Sequence, residues 1–227
     1  MKICIQWLSV CVALAAAGCS AGTVGEPDDE DDFAGGEVAT LASDLGSDNA
    51  GPGCAATTLF EEDFADNAAG WTLEAGWQIG SATTSTCQTG GSPDPGSDHT
   101  ATSDNGVAGV FIGGCPSIVY QSPNLYLTSP VIDTNVAGSV SLSFSRWLNT
   151  SYRNRSRVEV FDGASWVLLY ESPVTLSSSN WAKITYDLTP YKNASLRVRV
   201  GYRTTIAYGG WVTSNWNIDD LSIDACP

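Results

Sequence analysis

Residues 195–203 read SLRVRVGYR. Leu196, Val198, Val200 and Tyr202 alternate with Arg197, Arg199 and Arg203. A period of two places side chains on opposite faces of an extended strand, so the apolar set faces a core and the arginines face water. Residues 139–147, SVSLSFSRW, repeat the pattern, with Val140, Leu142 and Phe144 set against serines. Residues 157–171, RVEVFDGASWVLLYE, read as a hairpin whose Asp162-Gly163 turn suits the positive φ of tight connections. Further strands are expected at 59–64, 71–81, 107–112, 126–132, 181–188 and 216–224. No segment sustains a capped 3.6-residue apolar period. Many short strands joined by Gly, Pro and Asn turns predict an all-β, antiparallel two-sheet sandwich of jelly-roll type.

The strands occupy one part of the chain. Residues 1–18 have the layout of an export leader, with Lys2 followed by an apolar run from Ile3 to Ala17. That run ends in AAAGC, which resembles a bacterial lipobox and marks Cys19 as the lipidated residue. No later stretch is apolar and long enough to predict a membrane span. Residues 19–53 read as an acidic tether, with six acids in the seven positions from Glu26 to Asp32. Such a segment buries too little apolar surface to offset its ordering entropy, and about 35 flexible residues reach on the order of 30 Å. Residues 54–227 form the expected domain.

Seven cysteines are present, at 4, 11, 19, 54, 87, 115 and 226. Setting aside the leader and Cys19 leaves an even number in an exported chain, the usual setting for disulfides. Four cysteines allow three pairings. The preferred one joins Cys54 to Cys226 and Cys87 to Cys115, and no CxxC or CxxH spacing points to a metal.

The formal net charge is −15. From Cys19 onward every Lys and Arg lies at Arg146 or later. This balance disfavours nucleic acid, which needs cationic contacts along its phosphates, and leaves membrane contact to the N-terminal lipid alone. It suits divalent cations, neutral glycans or basic partners.

Several landmarks follow one another in a recognisable order. They are Cys54, FEEDF (60–64), GW (70–71), DHT (98–100), LTSPVID (127–133), LSF (142–144), W-x5-D-L (181–188), LRVRVGYR (196–203), WNIDDLSI (216–223) and Cys226. This order resembles the MAM-type domain (meprin, A5, receptor phosphatase mu) and the MAM-like modules of bacterial secreted proteins. The resemblance implies a concanavalin-like jelly roll serving adhesion or recognition without catalysis. It maps the family's Phe-Glu element to Phe60-Glu61 or Asp63-Phe64, its Asp-His-Thr element to Asp98-His99-Thr100, and its acidic pair to Asp219-Asp220. In such relatives these three elements meet, often at a cation. The implied ligands are Glu62 or Asp63, with Asp98, Asp104, Asn105 and Asp220, and the implied cation is Ca2+, which takes six to eight hard oxygens. The alternative is a hydrogen-bonded acidic loop without a cation.

Catalytic signatures are missing from the sequence. His99 is the single histidine, and there is no G-x-S-x-G, HExxH or phosphate-binding fingerprint. The chain is therefore expected not to be an enzyme. For binding, Tyr208, Trp211 and Trp216 flank a Gly-Gly loop in IAYGGWVTSNWN (206–217), where aromatic faces beside Ser, Thr and Asn suit sugars or protein contacts. Arg146, Arg153, Arg155 and Arg157 form a basic cluster suited to an acidic partner or to another copy's acidic half. The expected function is a surface-anchored recognition or adhesion module for extracellular glycan or protein, exported to the outer membrane or cell surface and lipid-anchored. The alternatives are a carbohydrate-active hydrolase using carboxylates and an envelope lipoprotein that associates with itself.

Overall fold

A computed structural model describes residues 55–86, 91–114, 122–151, 154–172, 174–204 and 216–227. All lie in one compact unit, Glu37–Pro227. The leader, Cys19, the acidic tether, Cys54, Cys87, Cys115, Tyr208 and Trp211 fall outside the described residues.

The strands are β1 (Thr57–Glu62), β2 (Thr72–Leu73), β3 (Trp77–Ser81), β4 (Gly106–Val110), β5 (Leu125–Thr128) and β6 (Ser139–Thr150). They continue as β7 (Arg155–Phe161), β8 (Trp166–Glu171), β9 (Leu176–Ser177), β10 (Ala182–Asp187), β11 (Arg197–Arg203) and β12 (Trp216–Cys226). A 3-10 turn at Thr189–Tyr191, started by Pro190, is the single helical element among the described residues. Every strand pairing is antiparallel, in two sheets. A seven-stranded sheet runs β10-β6-β12-β4-β3, with β1 also on β12 and β9 also on β6. A five-stranded sheet runs β2-β5-β11-β7-β8. The protein is an antiparallel β-sandwich, as the alternation predicts.

The inner faces supply the core. Val140, Leu142, Phe144 and Leu148 from β6 meet Ile218, Leu221 and Ile223 from β12 and Val158, Val160, Val198 and Val200 from β7 and β11. Each fully buried Leu, Ile or Phe removes apolar surface worth about 1.5–3 kcal/mol. At one end Trp77 lies 6.1 Å from Tyr202 and 6.2 Å from Trp216, ring centre to ring centre. Trp77 Nε1 donates to the Leu125 carbonyl at 3.0 Å, and the Tyr202 hydroxyl to that of Ala75 at 2.9 Å, which satisfies both polar tips.

β12 pairs with β6 along most of its length, but its other edge is shared. β4 takes Asn217 and Ile218, and β1 takes Leu221 to Ala225. The register slips between Asp219 and Ser222, where one neighbour hands over to the other. Asp220 is the extra residue, with φ of 47°. A bulge of this kind turns a side chain out of the alternation, and Asp tolerates the left-handed region better than most residues.

Candidate functional site

The polar stretch from Ser92 to Asn105 packs over part of the outer face of the seven-stranded sheet. Trp147 Nε1 donates to the Pro93 carbonyl at 3.0 Å and Trp181 Nε1 to that of Ser97 at 3.4 Å. Asn217 Nδ2 donates to Asp94 Oδ1 at 2.9 Å, and the Ser92 amide to Asn149 Oδ1 at 3.1 Å. The Asp98 amide donates to Asn105 Oδ1 at 2.9 Å, while Asp98 Oδ2 accepts the Thr102 hydroxyl at 2.6 Å. Asp94, Asp98, Asn217 and Asp219 are all buried as a result.

The bulge on β12 is the loop's second anchor. The His99 amide donates to Asp219 Oδ2 at 2.7 Å, and Asp219 Oδ1 accepts the Asp220 amide at 2.8 Å. Asp220 Oδ2 accepts the Thr100 hydroxyl at 2.6 Å and lies 2.5 Å from His99 Nδ1. An ionised carboxylate only accepts, so Nδ1 carries the hydrogen. Burial pushes the Asp219 carboxyl up to about 6; the two amides pull it down, and the charges of Asp220 and Asp98 add to the rise.

The end of β1 lies beside the same bulge, with Glu62 opposite Leu221. Glu62 Oε2 accepts Trp71 Nε1 at 2.8 Å and Oε1 accepts the Phe64 amide at 3.0 Å. Burial raises the Glu62 carboxyl, and these two bonds counter the rise. Phe64 is fully buried with φ of 56°, a strained conformation held by this local closure. Asp63 accepts the Ala65 amide. An open cleft of about 520 Å³ here is lined by Glu61, Glu62, Asp63, Asp220 and Ser222 with apolar neighbours.

The three elements of the sequence reading thus converge, but the proposed ligands do not make one coordination shell. Among the described residues no three His, Cys, Asp or Glu side chains are gathered as a metal site would need. Asp104 Oδ1 accepts the Gly106 amide, a bond that lowers its carboxyl, and Asn105 bridges Asp98 to the Ala82 carbonyl. Asp98 and Glu62 are spent on Thr102 and Trp71. The donor set suits closure by hydrogen bonds and does not fit Ca2+ as a single group. Cys226 is disulfide-bonded, with its partner outside the described residues.

The aromatic surface requires a correction. Trp216 is 0% exposed and sits between the sheets as the first core position of β12, so it presents no face to a ligand. The alternation of Trp216 with Ile218 is the signal for an inward position. The basic cluster also divides. Arg146 pairs with the inward position Ile218 and lies 5.9 Å from the Tyr170 ring. Arg153 is outside the described residues. Arg155 and Arg157 face outward on β7.

A surface the sequence reading missed is the outer face of the five-stranded sheet. There Arg155 and Arg157 of β7 lie beside Arg197, Arg199 and Arg203 of β11. The Arg199 guanidinium lies 3.8 Å from the Tyr126 ring centre and 4.0 Å from that of Trp166, clamped between two aromatics. Arg197 lies 4.6 Å from the Phe161 ring centre. Glu159, buried beneath them, accepts Arg199 Nε at 2.6 Å and lies 3.2 Å from Arg157 Nη1. Glu171 binds Arg157 Nε at 2.8 Å. Gly201 makes the clamp feasible, since a Cβ there would stand 2.5 Å from the Tyr126 ring. The pattern was half legible, because outward arginines were read from β11 but their aromatic neighbours come from β5, β7 and β8 through sheet register.

No protein-family model matches the chain, and no curated protein matches it. Among solved structures it is similar to the K1 cleaved adhesin domain of Lys-gingipain from Porphyromonas gingivalis, at 18% identity and a TM-score of 0.46, covering 75% of this chain and 99% of that one. It is also similar to the CBM22-1 xylan-binding domain from Paenibacillus barcinonensis, at 12% identity and a TM-score of 0.42, covering 77% and 97%. A third similar structure, TmCBM61 in complex with β-1,4-galactotriose, shows 12% identity and a TM-score of 0.42, covering 71% and 97%. At these values the functional reading rests on the chain's own geometry.

Proposed function

We propose that this chain is a non-catalytic recognition module that binds an extracellular polymer through the outer face of its five-stranded sheet. The observation that carries the reading is the clamp of Tyr126, Arg199 and Trp166 over buried Glu159. Three side chains from three other strands fix the Arg199 guanidinium in place, a preorganisation beyond what an ordinary solvated surface needs. The 92–105 loop already covers part of the opposite face of the sandwich. His99, the single histidine, is used to hold that loop to Asp220, a structural role. The order of landmarks supports a MAM-like module, and the leader with Cys19 supports export and lipid anchoring at the outer membrane or cell surface.

The test is a glycan array with envelope-extract pull-down, comparing wild type with a Tyr126→Ala/Trp166→Ala double variant shown to be folded by circular dichroism. The variant is expected to lose capture. Equal capture by both proteins would remove the five-stranded face from the reading. Product release from any polysaccharide by wild type, absent in a His99→Ala or carboxylate variant, would favour the hydrolase alternative.

A further inference from the structure

The five-stranded face carries five arginines, and their acid partners are unevenly distributed. Arg155, Arg157 and Arg199 are bridged by Glu159 and Glu171. Arg197 and Arg203, at either end of β11, have no carboxylate partner among the described residues. Both point to the same side of the strand, six residues apart, which is roughly 20 Å at the rise of an extended chain. Each guanidinium also carries terminal Nη donors that no carboxylate among the described residues takes up, and a ligand oxygen would satisfy them. The chain is acidic overall, so these cations are not part of a generally basic surface.

Resting on the recognition reading above, we infer that the ligand is an acidic polysaccharide, carrying carboxylate or sulfate groups, laid along β11 from Arg197 to Arg203. A guanidinium offers a planar fork of N–H donors that matches both anions. Arg197 is held in plane by Phe161 at 4.6 Å and Trp166 at 5.5 Å, which lowers the entropy lost on binding. Two separated anchors on a flat strand suit a repeating polyanion. A protein partner would ask for a desolvated apolar centre, and among the described residues the exposed large apolar residue on this face is Leu168. The module's net negative charge opposes long-range attraction, so recognition is short-range and weakens with salt.

Affinity electrophoresis and titration calorimetry of the purified full chain test this. The probes are polygalacturonate for carboxylate, dextran sulfate for sulfate, neutral galactan, poly-glutamate and single-stranded DNA. The expected result is binding to one or both acidic polysaccharides, weakened about tenfold or more by Arg197→Gln/Arg203→Gln at unchanged melting temperature. Lys183→Gln, on the other sheet, should leave binding unchanged. Binding to galactan that survives the double variant overturns the acidic ligand while keeping the recognition reading. Poly-glutamate or DNA bound as tightly as the acidic polysaccharides overturns it in favour of charge alone. Absence of binding to every probe overturns the acidic ligand, and wild-type capture on the broader array then decides whether the recognition reading stands.

Discussion

Asp219 accepts two backbone amides yet is 2% exposed, and burial lifts its carboxyl from an ordinary 3.8 to about 6. The sign follows from proton counting. Between pH 4 and 6 the folded state binds more protons at this group than the unfolded chain, so its contribution to stability falls as pH rises through that window. Asp219→Asn cannot titrate. Melting curves across pH 4–7 should therefore show a shallower decline in the variant, although its melting temperature is lower throughout because an amide nitrogen then faces an N–H donor. Glu62 makes a second prediction at this scale. Both of its oxygens accept, one from Trp71 and one from the Phe64 amide, so Glu62→Gln leaves one buried donor opposed by NH2. Urea denaturation should show a loss of about 1–2 kcal/mol, with altered Trp emission.

At the scale of the element, β11 shows how far alternation reaches. The pattern in 195–203 places Val198 and Val200 inside and Arg197 and Arg199 outside, as found. The Asp162-Gly163 turn is also as read, with Gly163 at φ of 98° and the Asp162 amide bonded to the Ser165 carbonyl. The Asp98 loop and the Asp219-Asp220 pair, 120 residues apart at their His99 contact, could be joined from sequence through a family likeness alone. Periodicity states which face a residue takes and says nothing of which strand lies beside it. The arginine–aromatic clamp was lost for that reason, and Trp216 was misread because local polarity outweighed its place in a period-two pattern. Two substitutions test the clamp. Arg199→Gln should cost about 2–3 kcal/mol by leaving buried Glu159 less well paired, whereas Arg197→Gln should cost less than about 1 kcal/mol, as measured by chemical denaturation. Gly201→Ala should displace Tyr126 and cost about 1–3 kcal/mol, read as a fall in melting temperature.

Across the whole molecule, charge and covering are both divided. Residues 55–145 bring carboxylates and no Lys or Arg, while five arginines gather on β7 and β11. The acidic side resolves its own electrostatics, because Asp94, Asp98, Asp219, Asp220 and Glu62 each hold a hydrogen-bond donor. A cation is then unnecessary for closure. Melting temperature should stay the same on adding a chelator or millimolar calcium, and a calcium-dependent rise in differential scanning calorimetry would show a linked site that these contacts do not predict.

The loop that covers part of one broad side of the sandwich leaves the proposed contact to the other, and this bears on valency. A copy that binds through one side alone can line a polymer strand but cannot bridge two. Mixed in solution with a long polysaccharide, single copies should leave it dispersed, and turbidity should appear when two copies are covalently joined back to back.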